Sequence, residues 1–206
     1  DKACSPVNLY GSTKLASDKL FISANNIRGK NKCKFSVVRY GNVMSSRGSV
    51  IPFFLKLKKN NQALPVTDHN MTRFSLTLSD SIKFVLKSIE MMTGGELFVP
   101  KVSSYKIMDL VKAIDTKSKV KIIGIRPGEK IHEDLISVSD ALNTIELKDF
   151  FVVKPNSTVS PWKEKEFKKH NKLKKLKYCK RNFSYSSNNN SKFFTIKELR
   201  SLIKTN

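Results

Sequence analysis

Residues 8–43 read NLYGSTKLASDKLFISANNIRGKNKCKFSVVRYGNV, and this stretch decides how the chain is read. Leu15, Ala16, Leu20, Ile22, Ala24 and Ile27 recur with a rough helical period, which predicts a helix from Tyr10 to Ile27. Pro6 lies upstream of it, and Asn25, Asn26 and Gly29 close it. Phe35 to Tyr40 then form a short β-rich run, continuous enough for a buried parallel strand. A Gly- and Ser-rich loop follows. Helices and strands alternate beyond it, so the fold class is α/β with a parallel sheet.

Working outward, Val50 to Lys59 is predicted helical, with Pro52 setting its first turn. Ser79 and Asp80 cap a helix to about Met92, which Gly94-Gly95 ends. The runs 96–100, 120–125 and 149–155 read as strands, and 106–114 as a helix. Residues 126–137 (RPGEKIHEDLIS) are expected to turn at Pro127-Gly128 and enter a helix. An amphipathic helix closes the chain over 195–204. The glycines at 11, 29, 41, 48, 94, 95, 124 and 128 nowhere give the G-x-G-x-x-G turn that cradles a dinucleotide pyrophosphate.

The composition narrows the function classes. With 39% hydrophobic residues in 206, a sizeable core is within reach. No run approaches ~18 consecutive apolar residues, so no membrane span is expected. Three widely spaced cysteines match neither a zinc spacing nor a disulfide framework and read as reduced thiols of a cytoplasmic protein. No metal site is expected, and His69 and His132 read as ordinary polar residues. The net charge of +22 is mostly lysine and is densest over 162–181. That segment is either a solvated surface insertion or a polyanion-binding patch. It has few aromatics among its lysines, so no specific nucleic-acid reader is expected.

Tyr10 and Lys14 are four apart on the predicted helix and share a face. An ammonium so placed favours the phenolate, which can then take a proton from a substrate hydroxyl. By spacing alone a surface pair is the commoner case, and Asp1-Lys2 reads equally well as a solvated ion pair.

Six ordered blocks change that reading: DKA, PVNLYGSTKLASDKLF, SVVRYGNVMSSRGSVIPFF, PVTDHNMTRFSLTL, RPGEKIHEDLIS and FSYSSNNNS. Together they resemble the extended short-chain dehydrogenase/reductase family. Within it they are similar to the C5-inverting UDP-N-acetylglucosamine 4,6-dehydratases of pseudaminic acid biosynthesis. The resemblance implies the C-terminal part of a Rossmann-like doubly wound sheet over 1–60 and a smaller mixed α/β, substrate-binding region over 61–206, with the basic insertion at 162–181. It implies a catalytic set of Asp1, Lys2, Tyr10 and Lys14. The cofactor, NADP or else NAD, would meet Tyr10, Lys14, Val43, Met44, Ser45, Ser46 and Arg47.

The resemblance assigns the UDP-sugar, UDP-N-acetylglucosamine or a similar one, to several blocks. Asn42 and Val50 come from the third block, Thr67, Asp68 and Arg73 from the fourth, Arg126 and Glu129 from the fifth. Tyr185, Ser186, Ser187 and Asn188 form a late loop that closes over the nucleotide. A cytoplasmic homo-oligomer is implied, acting in surface polysaccharide or flagellin glycan synthesis. Three departures stand out: Met44-Ser45 in place of a pair ending in Gly, Phe74-Ser75 in place of Phe-Trp, and the basic insertion. Catalytic residues at positions 1, 2 and 10 lead to the expectation of about a hundred further residues upstream, carrying the dinucleotide turn. On that expectation the 206 residues alone neither bind NADP tightly nor turn over. A related nucleotide-sugar 4-epimerase, or an inactive piece whose basic segment binds polyanions, are the alternatives.

Overall fold

The computed structural model describes residues 1–44, 46, 48–155 and 161–205, without the side chain of Thr205. The chain divides into two compact units and crosses between them at 40/41, 78/79, 101/102, 133/134 and 185/186, so neither unit is one continuous stretch.

The first unit comprises Asp1–Tyr40, Ser79–Lys101 and Asp134–Tyr185. Its sheet runs Val37–Val38, Leu97–Pro100, Phe150–Val153, Thr144–Glu146, Lys177–Tyr178 in spatial order. Only the first pair is parallel, with Val37 opposite Leu97; the other three are antiparallel. A parallel neighbour needs a crossover, and the chain supplies one by the helix Leu78–Met91. Thr144–Glu146 and Phe150–Val153 are joined by residues 147–149 alone, a hairpin that only antiparallel pairing allows, and the sheet is mixed instead of wholly parallel. Phe98, Val99, Ile145 and Val152 are fully buried in it.

A carboxylate fixes the entry to the strand 97–100. Glu96 is fully buried, yet five donors converge on it. They are the Ser36 hydroxyl (2.8 Å), the Thr93 and Gly94 amides (both 2.9 Å), the Trp162 indole N–H (2.9 Å) and the Thr93 hydroxyl. Neutral donors alone satisfy a buried charge here, which is tolerable only when nearly every lone pair is used. The turn before it needs glycine: Gly94 has φ 113°, and a Cβ there would lie 2.7 Å from the Asn25 amide oxygen.

The basic segment is built into this unit instead of lying loose on it. It forms a helix, Glu164–His170, and the edge strand Lys177–Tyr178. Phe167 is fully buried, and Trp162, Leu173, Leu176 and Tyr178 pack with it against Phe98, Ile145, Phe150 and Val152. The lysines face outward, apart from half-buried Lys168. An edge strand carrying lysines is also a poor template for unwanted strand pairing. Of the three free cysteines, Cys4 is buried, Cys33 exposed and Cys179 half-buried. Burial pushes the Cys179 thiol up to about 11, so it stays protonated at neutral pH.

The second unit comprises Gly41–Leu78, Val102–Glu133 and Ser186–Asn206. Asn42–Val43 lies parallel to Thr72–Leu76, which pairs antiparallel with Ser103–Lys106; Leu64–Val66 runs parallel to Val120–Ile122. Helices Val50–Lys59, Ile107–Ile114 and Ile196–Thr205 cover a core that includes Phe54, Leu64, Leu110 and Leu199. Gly41 makes the first pairing possible, because a Cβ there would sit 2.4 Å from that of Phe74.

The helix expected after Pro127-Gly128 does not form; the chain turns and reaches a strand at Asp134–Ile136. The carbonyls of Lys130 and Ile131 accept from Arg73, and that of Ile131 also from the Thr72 amide. The Glu133 amide donates to the Ser187 hydroxyl. Backbone groups committed elsewhere cannot close an i to i−4 ladder. No described helix is long and apolar enough to cross a membrane.

Two outcomes follow from the first unit. Phe167→Ala should cost about 3–5 kcal/mol of stability in urea unfolding, while Lys165→Ala at an exposed position should stay within about 0.5 kcal/mol. If both were neutral, the basic segment would not belong to the core. Glu146 lies 2.6 Å from Lys177 and 2.9 Å from Lys101. The hydrogen bond from Lys177, then that from Lys101, holds its carboxyl below the usual carboxylate range. A depressed carboxylate stabilises the fold above its unfolded pKa and ceases to as pH falls through its folded one. Glu146→Gln should therefore lower the melting temperature at pH 7, with the difference vanishing as pH falls through the depressed folded pKa in a calorimetric series.

Candidate active site

In the first unit, Asp1, Lys2, Tyr10, Lys14, Asp18 and Arg39 line one cavity of about 410 Å³. Local chemistry creates it. Asn8 caps the helix Leu9–Ile27, its side chain accepting from the Gly11 amide at 2.8 Å. Gly11 then lets the preceding chain fold back onto the first turn. A Cβ at Gly11 would lie 2.6 Å from the Lys2 carbonyl oxygen and 2.9 Å from Pro6 Cβ. That absent methyl brings Lys2 beside the turn that carries Tyr10. Cys4, 2% exposed, anchors the same segment, and its amide donates to the Asp1 carbonyl at 3.2 Å. The Asp1 main-chain nitrogen donates to the Tyr40 carbonyl at 3.0 Å, tying the segment to the end of the strand.

Within the cavity the Lys2 ammonium is 3.4 Å from the Asp1 carboxylate. The Lys14 ammonium stands 5.5 Å from the centre of the Tyr10 ring. Among the described residues no carboxylate lies within ion-pairing distance of Lys14, so its donors are available to a ligand. The four residues named by the sequence as catalytic are thus gathered in one place, with Tyr10 62% exposed.

In the second unit a separate cavity of about 330 Å³ gathers Asn42, Val50, Thr67, Arg73, Arg126 and Glu129. Glu129 accepts from the Thr67 hydroxyl at 3.1 and 3.2 Å and from the Arg126 amide at 3.4 Å. Arg73 donates to the carbonyls of Thr72 (2.7 Å), Ile131 (2.8 Å) and Lys130 (2.9 Å). Its guanidinium therefore clamps the 130–131 backbone, and Glu129 and Glu133 each stand 3.9 Å away. Among the wall residues that the sequence reading left unnamed are Phe53, Tyr105 and Ile123. Burial pushes the Tyr105 phenol up to about 12 against the opposing pull of Arg73. It is a neutral donor at physiological pH. Phe53 was hidden inside the apolar run IPFF and Tyr105 inside a plain strand; nothing in either pattern marks a cavity wall.

The other named residues that the structure describes are not among the lining of either cavity. Asp68 accepts from the Asn70 amide in a turn. Met44 is a core residue packed near Ile51 and Phe54. Val43 is half-buried in a two-residue strand and Ser46 is exposed; Ser45 and Arg47 lie outside the described residues. Tyr185 is buried with its ring 5.2 Å from that of Phe151. The Ser186 hydroxyl donates to the Glu133 carbonyl at 3.3 Å. Ser187, fully buried, meets the Thr72 hydroxyl at 2.7 Å, and that hydroxyl meets His132 Nδ1 at 2.8 Å. Only Asn188 of that loop is exposed.

Residues 1–155 match the model of a family described as polysaccharide biosynthesis protein. The chain belongs to this family. Over 98% of its length it is 50% identical to the UDP-N-acetylglucosamine 4,6-dehydratase (inverting) of Campylobacter jejuni, of which it spans 61%. It is 41% identical to the UDP-glucose 4-epimerase of Rickettsia canadensis over 73% of this chain and 46% of that one. The X-ray structure of Pen from Bacillus thuringiensis superposes with a TM-score of 0.81 at 33% identity, covering 99% of this chain and 59% of that one. The chain thus spans about three-fifths of the relatives it matches over nearly its whole length.

The role of Gly11 is directly testable. Gly11→Ala should destabilise by about 1–3 kcal/mol, the usual cost of an overpacked contact, because the Lys2 carbonyl must retreat. A neutral substitution in thermal unfolding would show that the segment carrying Lys2 is not packed on the helix.

Proposed function

We propose that the chain is the catalytic and sugar-binding part of an NADP-dependent UDP-N-acetylglucosamine 4,6-dehydratase. The observation that carries this reading is the gathering of Asp1, Lys2, Tyr10 and Lys14 around one cavity. The 50% identity to the Campylobacter dehydratase supports it. An elimination needs an acid and a base beside a group that can exchange a proton with a hydroxyl, and those residue types are present together.

The donor set fits a nicotinamide nucleotide, because among the described residues no carboxylate neutralises the Lys14 ammonium, which can hold ribose hydroxyls. A bound nicotinamide supplies the hydride acceptor for C4 and the donor for C6. Tyr10 takes the proton of the C4 hydroxyl, and Lys14 beside it stabilises the phenolate charge. The resulting C4 ketone acidifies the C5 proton, which Lys2 removes. Asp1 protonates the departing C6 hydroxyl, which leaves as water. As C6 is reduced, Tyr10 returns the proton it took from the C4 hydroxyl to C5 from the opposite face, which inverts that centre, and Lys2 passes its proton back to Asp1. The product is a UDP-4-keto-6-deoxy-acetamido sugar.

The second unit's own cavity has side chains suited to a nucleoside diphosphate. Glu129 accepts ribose hydroxyls, and Arg126, exposed and free of any carboxylate partner among the described residues, pairs with the diphosphate. The place of the reaction is early in surface polysaccharide or flagellin glycan synthesis, in a cytoplasmic homo-oligomer.

The whole protein supplied with UDP-N-acetylglucosamine should release a 4-keto-6-deoxy sugar nucleotide visible by NMR. Lys2→Met and Tyr10→Phe should each lower kcat at least about a hundredfold, the scale of a lost general acid or base. A product that keeps its C6 hydroxyl and differs only at C4 would make the protein an epimerase and overturn the proposal.

A further inference from the structure

Arg39 leaves the strand Val37–Val38 with its side chain only 5% exposed. Its Nη2 lies 2.9 Å from Asp18 Oδ2, and its Nη1 donates to the Leu135 carbonyl at 3.0 Å. Asp140 stands 3.8 Å from the same Nη1. Asp18 belongs to the helix of Tyr10 and Lys14, one turn beyond Lys14, and all three line the same cavity. At that spacing side chains of opposite charge meet readily on a helix face. Among the described residues Lys14 nevertheless has no carboxylate partner, and its ammonium stands 5.5 Å from the centre of the Tyr10 ring. The acid one turn away is already taken.

We propose that Arg39 is a positioning residue: by holding Asp18 against the sheet it denies that carboxylate to Lys14 and so keeps the ammonium on Tyr10. The catalytic meaning of this placement rests on the dehydratase reading; the placement itself does not. The charged groups around Lys14 are few. Asp1 and Lys2 come from the opening segment, Asp18 from the same helix and Arg39 from the strand end; Asp140, on the 3₁₀ turn Val138–Asn143, lies beside Arg39 and is not among the residues that line the cavity. Asp1 faces the Lys2 ammonium. Asp140 faces Arg39 and the Ser137 hydroxyl. Asp18 is the carboxylate that changes hands when Arg39 loses its charge.

The test is competitive acylation of the protein's lysines with limiting acetic anhydride, read by mass spectrometry as Lys14 relative to exposed Lys19. An ammonium drawn into an ion pair acylates more slowly. In Arg39→Met the Lys14 ratio should fall at least threefold, and in the Arg39→Met/Asp18→Asn double variant it should return to the parent value. Arg39→Lys, which keeps the charge, should stay within twofold. If Arg39→Met does not fold, Arg39→Gln answers the same question, since it can donate to the Leu135 carbonyl without a charge. An unchanged ratio in the uncharged variants, or a fall that Asp18→Asn does not reverse, overturns the proposal. In the turnover assay, Arg39→Met should lower kcat at least tenfold with KM little changed, and the double variant should recover to within threefold. A role in stability alone predicts the reverse, a double variant worse than the single. If the parent makes no 4-keto-6-deoxy sugar, the dehydratase reading fails, while the acylation ratios still decide the role of Arg39.

Discussion

Everything in the first unit's cavity depends on one close approach, the passage of the Lys2 carbonyl over the first turn of the helix at Gly11. Any side chain there would meet main chain at 2.6 Å, inside the distance that real contacts allow. The approach costs conformational freedom, because glycine within a helix is about 1 kcal/mol less favourable than alanine. The Asn8 cap offsets that, since a side-chain cap contributes on the order of 1 kcal/mol. Cap, glycine and the buried Ala3-Cys4 anchor act together. Weakening one moves Lys2 relative to Tyr10, because the three share a single turn.

The second unit solves a similar problem with a different device. Its cavity wall at 126–131 has no regular structure to hold it, so side chains do the work. Arg73 reaches two carbonyls of that wall, and Ser187 caps the Glu133 amide. The Thr72 hydroxyl joins Ser187 to His132. Ser186 and Ser187 of the late serine loop act here as internal ties, both buried. A side chain that clamps the main chain around a cavity shapes it even when its own polar atoms face away from any ligand.

How much of this was legible in the sequence follows from which signals are local. Tyr10, Lys14 and the helix between Asn8 and Gly29 were readable, because period, cap and stop are encoded within a few residues. The gathering of Asp1 and Lys2 onto that helix was not written in spacing; it was carried by the resemblance, and the Gly11 contact supplies its physical cause. The helix expected beyond Pro127-Gly128 was misread because its backbone groups bond to Arg73 and Ser187, over fifty residues away on either side. The antiparallel half of the sheet was missed for the same reason: a strand run fixes the existence of a strand and says little about its partner. The segment 162–181 looked like surface because lysines outnumber everything else in it. Its apolar residues at 162, 167, 173, 176 and 178 are spaced for neither a regular helix nor a strand, and they become a core face only when helix, turn and edge strand fold together.

The charge imbalance has a structural corollary. Lysine and arginine outnumber aspartate and glutamate 39 to 17, so acids are the scarce partner. Most lysines are solvated, and their mutual repulsion is moderated by salt. The acids are placed with little redundancy. Glu96 gathers five neutral donors, Glu146 bridges two lysines, and Glu129 and Glu133 flank Arg73. Glu164 accepts from the Tyr178 hydroxyl, and Glu198 caps the last helix through Thr195. In a chain of balanced charge, a carboxylate released from one partner finds another nearby at small cost. Here basic side chains outnumber acids more than two to one, so a released carboxylate has more cations than acids to choose among. The position of each acid is therefore a constraint on the lysines around it. In the first unit's cavity that constraint falls on Lys14, where the location of a single carboxylate decides whether the ammonium faces a phenol or an ion pair.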